Sequence, residues 1–208
     1  MSNKSPENDA RKADKHRRAM QKQKQRVDAN ISAATIERGV AILLTGNGKG
    51  KSSSAFGMVM RALGYQQHVA IVQFIKGEQL SGEEIYVREH CPQVQLHQMA
   101  TGFTWNTQDR DQDILAANKA WAIARQFLQD PNIDLVVLDE LTYMLAYHYL
   151  DEQEVITAIQ QRPQEQSVVV TGRGGGTALR DVVDTVSEVK DIKHAFNAGI
   201  KARRGVDY

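Results

Sequence analysis

The run Thr45-Gly46-Asn47-Gly48-Lys49-Gly50-Lys51-Ser52 sets the strongest limit on how this chain can fold. An apolar run, Val40-Ala41-Ile42-Leu43-Leu44, precedes it, and a helix-compatible stretch from Ser53 to Leu63 follows. Strand, glycine loop and helix in that order are what a phosphate-binding loop needs. Glycines let the backbone turn tightly so that several N–H groups converge on phosphate oxygens. The helix N-terminus adds its dipole, Lys51 a mobile positive charge and Ser52 a hydroxyl for Mg²⁺. One departure matters: the usual pattern opens on glycine where Thr45 stands, and the glycines fall instead at Gly46, Gly48 and Gly50. A glycine- and lysine-rich surface turn is the plainer reading, and the flanking strand and helix argue against it. The expected ligand is a nucleoside triphosphate, held by Gly46, Asn47, Gly48, Lys49, Gly50, Lys51, Ser52 and Ser53.

With 208 residues the chain suits one α/β domain, large enough to bury roughly two-thirds of its unfolded surface. Its 41% hydrophobic and 25% charged residues, with a mean hydropathy of −0.46, fit a soluble globular protein. There is no run of about eighteen apolar residues and no apolar signal core, so neither a membrane span nor secretion is expected. The single cysteine, Cys91, excludes an internal disulfide and any cysteine-rich metal site, which makes the cytoplasm the simplest address. The net charge of +1 hides an asymmetry: residues 1–30 carry nine Lys/Arg against four acids, a net of +5 that leaves −4 for the rest. Such a basic segment could attract nucleic acid, but it lacks interleaved aromatics. A solvated helical extension is the favoured reading, with Met20, Val27 and Ile31 able to dock on the main body.

Residues 1–10 are polar and read as disordered. From Arg11 to about Ala34 the absence of Gly and Pro favours helix, so residues 1–35 form a basic extension and residues 36–208 the main domain. Gly64 is a plausible helix C-cap. Further strands are expected at 68–74, 94–99, 133–138, 168–170 and 185–189. Helices are expected near 83–90, 111–128, 151–161 (with Asp151 as N-cap) and 177–183, before an irregular tail. This alternation predicts an α/β fold of the P-loop NTPase-like kind: a mostly parallel sheet flanked by helices, with binding loops at the strands' carboxyl ends.

Two more segments carry chemistry. Leu135-Val136-Val137-Leu138 ends in Asp139-Glu140, and a carboxylate at the end of an apolar strand can hold Mg²⁺ directly or through water. Either acid could be the ligand, Glu140 could instead polarise water for hydrolysis, and an exposed acidic turn would look the same. Downstream, Val168-Val169-Val170 opens into Thr171-Gly172-Arg173-Gly174-Gly175-Gly176, which places Arg173 and Gly174 near a nucleotide unless the glycines form a loose connector. In Met99-Ala100-Thr101-Gly102-Phe103-Thr104-Trp105, two large aromatics sit in a polar, turn-forming segment. They can pack on the body or wall a large planar ligand.

Taken together with Val72-Gln73-Phe74-Ile75-Lys76-Gly77, Leu138-Asp139-Glu140-Leu141-Thr142-Tyr143, Asp184-Thr185-Val186-Ser187-Glu188 and Lys193-His194-Ala195-Phe196-Asn197-Ala198-Gly199, these segments resemble the P-loop class of ATP:corrinoid adenosyltransferases. The likeness runs in unbroken order from about Arg38 to Tyr208. It differs at Ser52-Ser53, where threonines are common, and at Gly174-Gly175-Gly176, which is looser than usual.

The resemblance implies transfer of the 5′-deoxyadenosyl group of ATP to the Co(I) of a reduced corrinoid such as cobalamin or cobinamide, with release of triphosphate. It assigns Lys51, Phe103 and Trp105 to catalysis, Met99, Phe103 and Trp105 to the corrinoid, Arg173 to the nucleotide, and Ser52 with Glu140 (or Asp139) to Mg²⁺. It further implies a homodimer whose N-terminal helix covers the corrinoid, and a reduced flavoprotein such as flavodoxin as electron donor. Two readings compete. A P-loop ATPase or small kinase would release ADP without corrinoid, with Glu140 positioning water or an acceptor hydroxyl. Against it, the sequence has no clear lid or arginine-finger segment, though Arg162, Arg173 and Arg180 are candidates. A nucleotide-gated nucleic-acid binder would depend on residues 1–34 and on salt.

Overall fold

The computed structural model describes residues 6–75, 80–99 and 109–208. Contacts separate one unit ending at Glu37 from a second spanning Arg38–Tyr208. The first unit is a single helix, α1 (Pro6–Ala33). Helix therefore begins at Pro6, inside the stretch expected to be disordered. Proline is tolerated at the first helical position because its missing N–H would be unpaired there anyway. From residue 11 onward nearly every position is exposed, including Met20, Val27 and Ile31. Ion pairs one turn apart, Asp14–Arg17, Asp14–Arg18 and Lys24–Asp28, lie at 2.7–3.0 Å. At such exposure each adds only about 0.3–0.5 kcal/mol.

The second unit is a six-stranded sheet, β1 (Ala41–Thr45), β2 (Val69–Gln73), β3 (Gln95–Gln98), β4 (Leu135–Asp139), β5 (Ser167–Thr171) and β6 (Thr185–Glu188), in the order β3-β2-β4-β5-β1-β6. Every described pairing is parallel, so the sheet exceeds the mostly parallel one expected. The four inner strands, β2, β4, β5 and β1, are short apolar runs buried on both faces, as parallel sheets require, while the edge strands β3 and β6 are polar and exposed or half-buried. Alternate residues serve two apolar layers. Val69, Ile71, Leu135, Val137 and Val169 pack with α2 (Lys51–Gly64) and α3 (Gly82–His90). Ala70, Val72, Val136, Leu138, Val168 and Val170 pack with α4 (Arg110–Gln129), α5 (Leu141–Ala146), α6 (Glu152–Gln160) and α7 (Leu179–Val182).

Helix boundaries follow local chemistry. Ser81, Asp109 and Asp151 accept hydrogen bonds from the backbone N–H three residues on, as N-caps do. Helix α4 buries Ala117, Ala120, Trp121, Ala124 and Leu128 on one stripe, and the Trp121 indole N–H donates to Glu154 at 3.0 Å. Gly64 is not a cap as expected: α2 runs through it, Tyr65 caps it, and Gln66 takes the left-handed conformation with φ 60°. The tail holds one 3₁₀ turn, Ala195–Ala198, inside the stretch expected to be irregular. Helix α5 has no counterpart in the sequence reading, which places no element between Glu140 and Asp151. Among the described residues, no helix is long and apolar enough to cross a membrane.

Candidate active site

The carboxyl ends of β4, β5 and β1 lie side by side in the sheet and open on a cavity of about 430 Å³. Its walls include Gly48, Lys49, Gly50, Lys51, Ser52 and Ser53 from the glycine loop, Asp139 and Glu140 from the end of β4, and Arg173 from the loop after β5. Three segments far apart in sequence thus meet as the alternating pattern expects. Helix α2 starts at the cavity with Gly50 at its N-cap position, φ 114°, and no side chain caps it. Its first-turn N–H groups and dipole are therefore available to an anion. Lys51 is 4% exposed and donates to the Gly48 carbonyl at 2.8 Å. Burial, and then Arg173, lower its proton affinity, while Glu140 and Asp139 oppose them.

The displaced glycines answer to a neighbour. A Cβ on Gly46 would lie 2.5 Å from the Val189 carbonyl oxygen, and one on Gly48 would lie 2.7 Å from the Lys190 carbonyl. The Gly48 N–H donates to Val189 O at 2.7 Å, and the Val189 N–H to Thr45 O at 2.8 Å. Gly46 and Gly48 thus let the backbone that follows β6 run against the loop. Lys49 is paired with Asp207 at 2.9 Å, and Asp207 also lines the cavity. Nothing local in the sequence marks Asp207 for that place.

The two acids at the end of β4 differ sharply. Asp139, 3% exposed, accepts from the Thr171 hydroxyl at 2.7 Å and from the Gln73 amide at 3.1 Å, so each oxygen has a donor. Glu140 stands in the left-handed region, φ 59°, a costly conformation for a residue with a Cβ, and its N–H donates to Thr171 Oγ1 at 2.9 Å. Its Oε2 is buried without a hydrogen-bond partner among the described residues. Burial first and the Asp139 charge second push its carboxyl up to about 7, against the opposing pull of Lys51 and Arg173. An orphaned, half-buried carboxylate facing a cavity that holds a lysine and a serine hydroxyl suits a hard divalent cation. Mg²⁺ takes one or two carboxylates and completes its shell with water and phosphate. Among the described residues there is no cluster of three or more His, Cys, Asp or Glu able to bind a metal unaided.

The glycine run after β5 is seated rather than loose. A Cβ on Gly172, φ 148°, would meet Thr142 Oγ1 at 2.1 Å, and one on Gly175 would meet the Thr142 carbonyl at 2.3 Å. Thr142 Oγ1 in turn donates to the Arg173 carbonyl at 3.4 Å, and Glu152 accepts from the Ala178 and Leu179 N–H groups. Helix α5 therefore holds the Arg173 loop. Gly174 is exposed beside it.

The other predicted residues are placed as follows. Ser53 is exposed and donates to Glu83 at 3.1 Å, while Asn47 is exposed at the loop's tip. Met99 is 3% exposed within the apolar layer of α4. Phe103 and Trp105 lie outside the described residues. Arg162 serves the amino ends of β1 and β5, opposite the cavity, donating to the carbonyls of Gln166, Ile159 and Gly39. Arg180, on α7, is exposed. Sequence reasoning missed Gln73, Ser81, Glu83, Glu84 and Asp207 in the cavity wall. Gln73 carried a signal, a polar residue closing an apolar strand.

Comparison with known proteins bears on the family and the fold. The sequence profile of the family described as ATP:corrinoid adenosyltransferase BtuR/CobO/CobP matches residues 37–208. The corrinoid adenosyltransferase of Pseudomonas aeruginosa is 52% identical over 99% of this chain and the whole of that protein. The corrinoid adenosyltransferase CobA of Salmonella typhimurium is 49% identical, covering 94% of this chain and 98% of its own. Among solved structures, the flagellar accessory protein FlaH of Methanocaldococcus jannaschii superposes with a TM-score of 0.50 at 10% identity, over 74% of this chain and 72% of that one, a likeness of fold.

Proposed function

The chain belongs to the ATP:corrinoid adenosyltransferase family, and from that premise we propose that it moves the 5′-deoxyadenosyl group of ATP onto the Co(I) centre of a reduced corrinoid and releases inorganic triphosphate. The observation that carries this reading is the meeting of Lys51, Arg173 and Glu140 at one cavity beside an uncapped helix N-terminus. Cob(I)alamin is itself a strong nucleophile, so the protein need supply no general base. Cobalt attacks C5′, the C5′–O5′ bond breaks, and its electron pair leaves with the triphosphate. What the protein must do is hold C5′ in line and receive the growing charge on the leaving group. Lys51, Arg173 and the first-turn N–H groups of α2 fit that task. Ser52 and Glu140 would hold Mg²⁺, with Asp139 behind them. That ion, when bound, adds charge neutralisation for the triphosphate.

Further parts of the reading rest on resemblance. Phe103 and Trp105 address the corrinoid, whereas Met99, given the same role by the resemblance, is packed in the apolar layer of α4. The two aromatics exclude the lower axial ligand, and loss of that ligand eases reduction to Co(I). A reduced flavoprotein supplies the electron, the enzyme works as a cytoplasmic homodimer of main domains (residues 36–208), and the basic 11–34 segment of the N-terminal extension (residues 1–35) covers the corrinoid across that dimer. Phe103→His, which would offer cobalt a new ligand, is expected to impair cob(II)alamin reduction well beyond any change in ATP binding. Equal losses in a reduction assay and an ATP titration would count against the wedge.

The deciding experiment is anaerobic incubation with ATP, Mg²⁺ and chemically reduced cob(I)alamin. Adenosylcobalamin appearing in step with inorganic triphosphate is the expected result. ADP and orthophosphate, formed equally without corrinoid, would overturn it in favour of an ATPase.

A further inference from the structure

Four strands end on polar residues that lie in one row across the sheet. In the strand register Gln98 of β3 sits opposite Gln73 of β2, and Gln73 opposite Asp139 of β4. Thr171 ends the next strand, β5. The positions two residues earlier, Leu96, Ile71, Val137 and Val169, are apolar and pack on the α2–α3 layer, so this row faces the same two helices. Hydrogen bonds join it into a chain that reaches α3. Arg88 Nη2 donates to Gln98 Oε1 at 2.6 Å, Gln98 Nε2 to Gln73 Oε1 at 2.7 Å, and Gln73 Nε2 to Asp139 Oδ2 at 3.1 Å. Arg88 is braced by Glu84, 2% exposed, at 3.0 Å.

The direction of this chain is fixed by its ends. A guanidinium can only donate and an ionised carboxylate can only accept, so both amides between them must present oxygen toward Arg88 and nitrogen toward Asp139. Turning either amide would set oxygen against oxygen or N–H against N–H, at most cost at the buried Gln73, where an unmatched polar group is poorly solvated, and at less cost at the half-buried Gln98. From the far side, the Thr171 hydroxyl holds the other oxygen of Asp139 while accepting from the Glu140 N–H. The left-handed turn that points Glu140 at the cavity therefore hangs on an Asp139 that Gln73 holds still.

We propose that Gln73 is a positioning residue of the nucleotide site, acting through Asp139, and that Gln98 and Arg88 set its orientation from outside the cavity. The assignment rests on the nucleotide reading above. It also gives the two neighbouring acids separate roles: Asp139 is spent on holding the turn, and Glu140 is left to meet the cation.

The test uses the full-length protein and the variants Gln73→Met, Asp139→Asn and the two combined, with Arg88→Met and Arg88→Lys on the exposed end of the chain. Binding of ATP is titrated at fixed and varied Mg²⁺, adenosyl transfer is measured as kcat and KM for ATP, and melting is recorded for each protein. Gln73→Met is expected to lower kcat at least tenfold and to raise the Mg²⁺ needed for half-maximal ATP binding several-fold. The double variant should be no worse than Asp139→Asn alone, because the first substitution acts through the second residue. Arg88→Met should lose several-fold in kcat, and Arg88→Lys should recover most of it. Wild-type kinetics and Mg²⁺ dependence in Gln73→Met, fully additive losses in the double variant, or equal losses in both Arg88 variants would each overturn the assignment. Should Gln73→Met fail to fold, the Arg88 pair decides alone. Wild-type protein that binds no ATP at all would instead overturn the nucleotide reading, and the positioning role with it.

Discussion

Glu140→Gln is expected to lose adenosyl transfer on the order of a hundredfold, the scale of removing one preorganised charged group from a transition state, and yet to melt higher than the parent above pH 7. Both effects come from the same burial. The carboxyl titrates near its ordinary 4.5 in the unfolded chain and near 7 in the folded one. Between those values the folded protein keeps a proton that the unfolded chain has released. Its favourable contribution is therefore complete below about pH 4.5 and is lost as the pH rises through about 7. Above that range the parent carries a charge in a poorly solvated place, at a cost of about 3 kcal/mol on the scale of 1.36 per pH unit. Glutamine carries no such cost. The advantage of the variant should be small at pH 5 and level off above pH 7, where it amounts to roughly 6–12 °C in melting temperature for a chain of this size. Melting curves of ligand-free protein from pH 5 to 8.5 read this directly. A difference that does not change with pH would show that Glu140 is not held against its own charge. A destabilised variant at pH 8 would sink the idea outright.

Lys51→Met should fall by roughly 10²–10³ in kcat/KM for ATP, again the range for losing one charge-stabilising donor, with little change in melting temperature. The side chain is almost fully buried, and its ammonium is satisfied only by the Gly48 carbonyl among the described hydrogen bonds. Methionine keeps the length and apolar bulk of the stem while removing the charge. Arg173 lines the same cavity but is exposed and belongs to a different strand end, so it cannot move into the place of Lys51. Steady-state kinetics with chemically reduced corrinoid isolate this step from cobalt reduction. A loss under tenfold would shift the leaving-group role to Arg173 and the helix N-terminus.

Much of the scaffold was legible because its signals are local. The run at 68–74 gave β2 to within a residue at each end, and Asp151 announced the start of α6 by its capping chemistry. The phosphate loop, the acids at 139–140 and Arg173 were readable as strand-end residues, and a parallel sheet brings strand ends together. What stayed hidden depends on partners distant in sequence. No local pattern says that β5 lies between β4 and β1, yet that order seats Arg173 between the loop and the acids. Helix α5, only six residues long, is too short to show a helical period. The different surroundings of Asp139 and Glu140 depend on Thr171 and Gln73, which come from two other strands. Lys49 read as a phosphate ligand, and its pairing with Asp207 is a contact between the loop and the far end of the chain.

The glycines at 46 and 48 tie the loop to the order in which the chain is made. The loop leaves the ribosome early, but the backbone that braces it, Val189 and Lys190, comes only after β6. Among the described strands β6 pairs with β1 alone, and no earlier described strand occupies that edge. The grip on phosphate is thus expected to mature late in synthesis, so that unfinished chains do not compete for cellular ATP. Ribosome-stalled chains halted before Thr185 should retain no labelled ATP, whereas chains released beyond Lys190 should. Retention by the shorter chains would show that the loop closes without its brace.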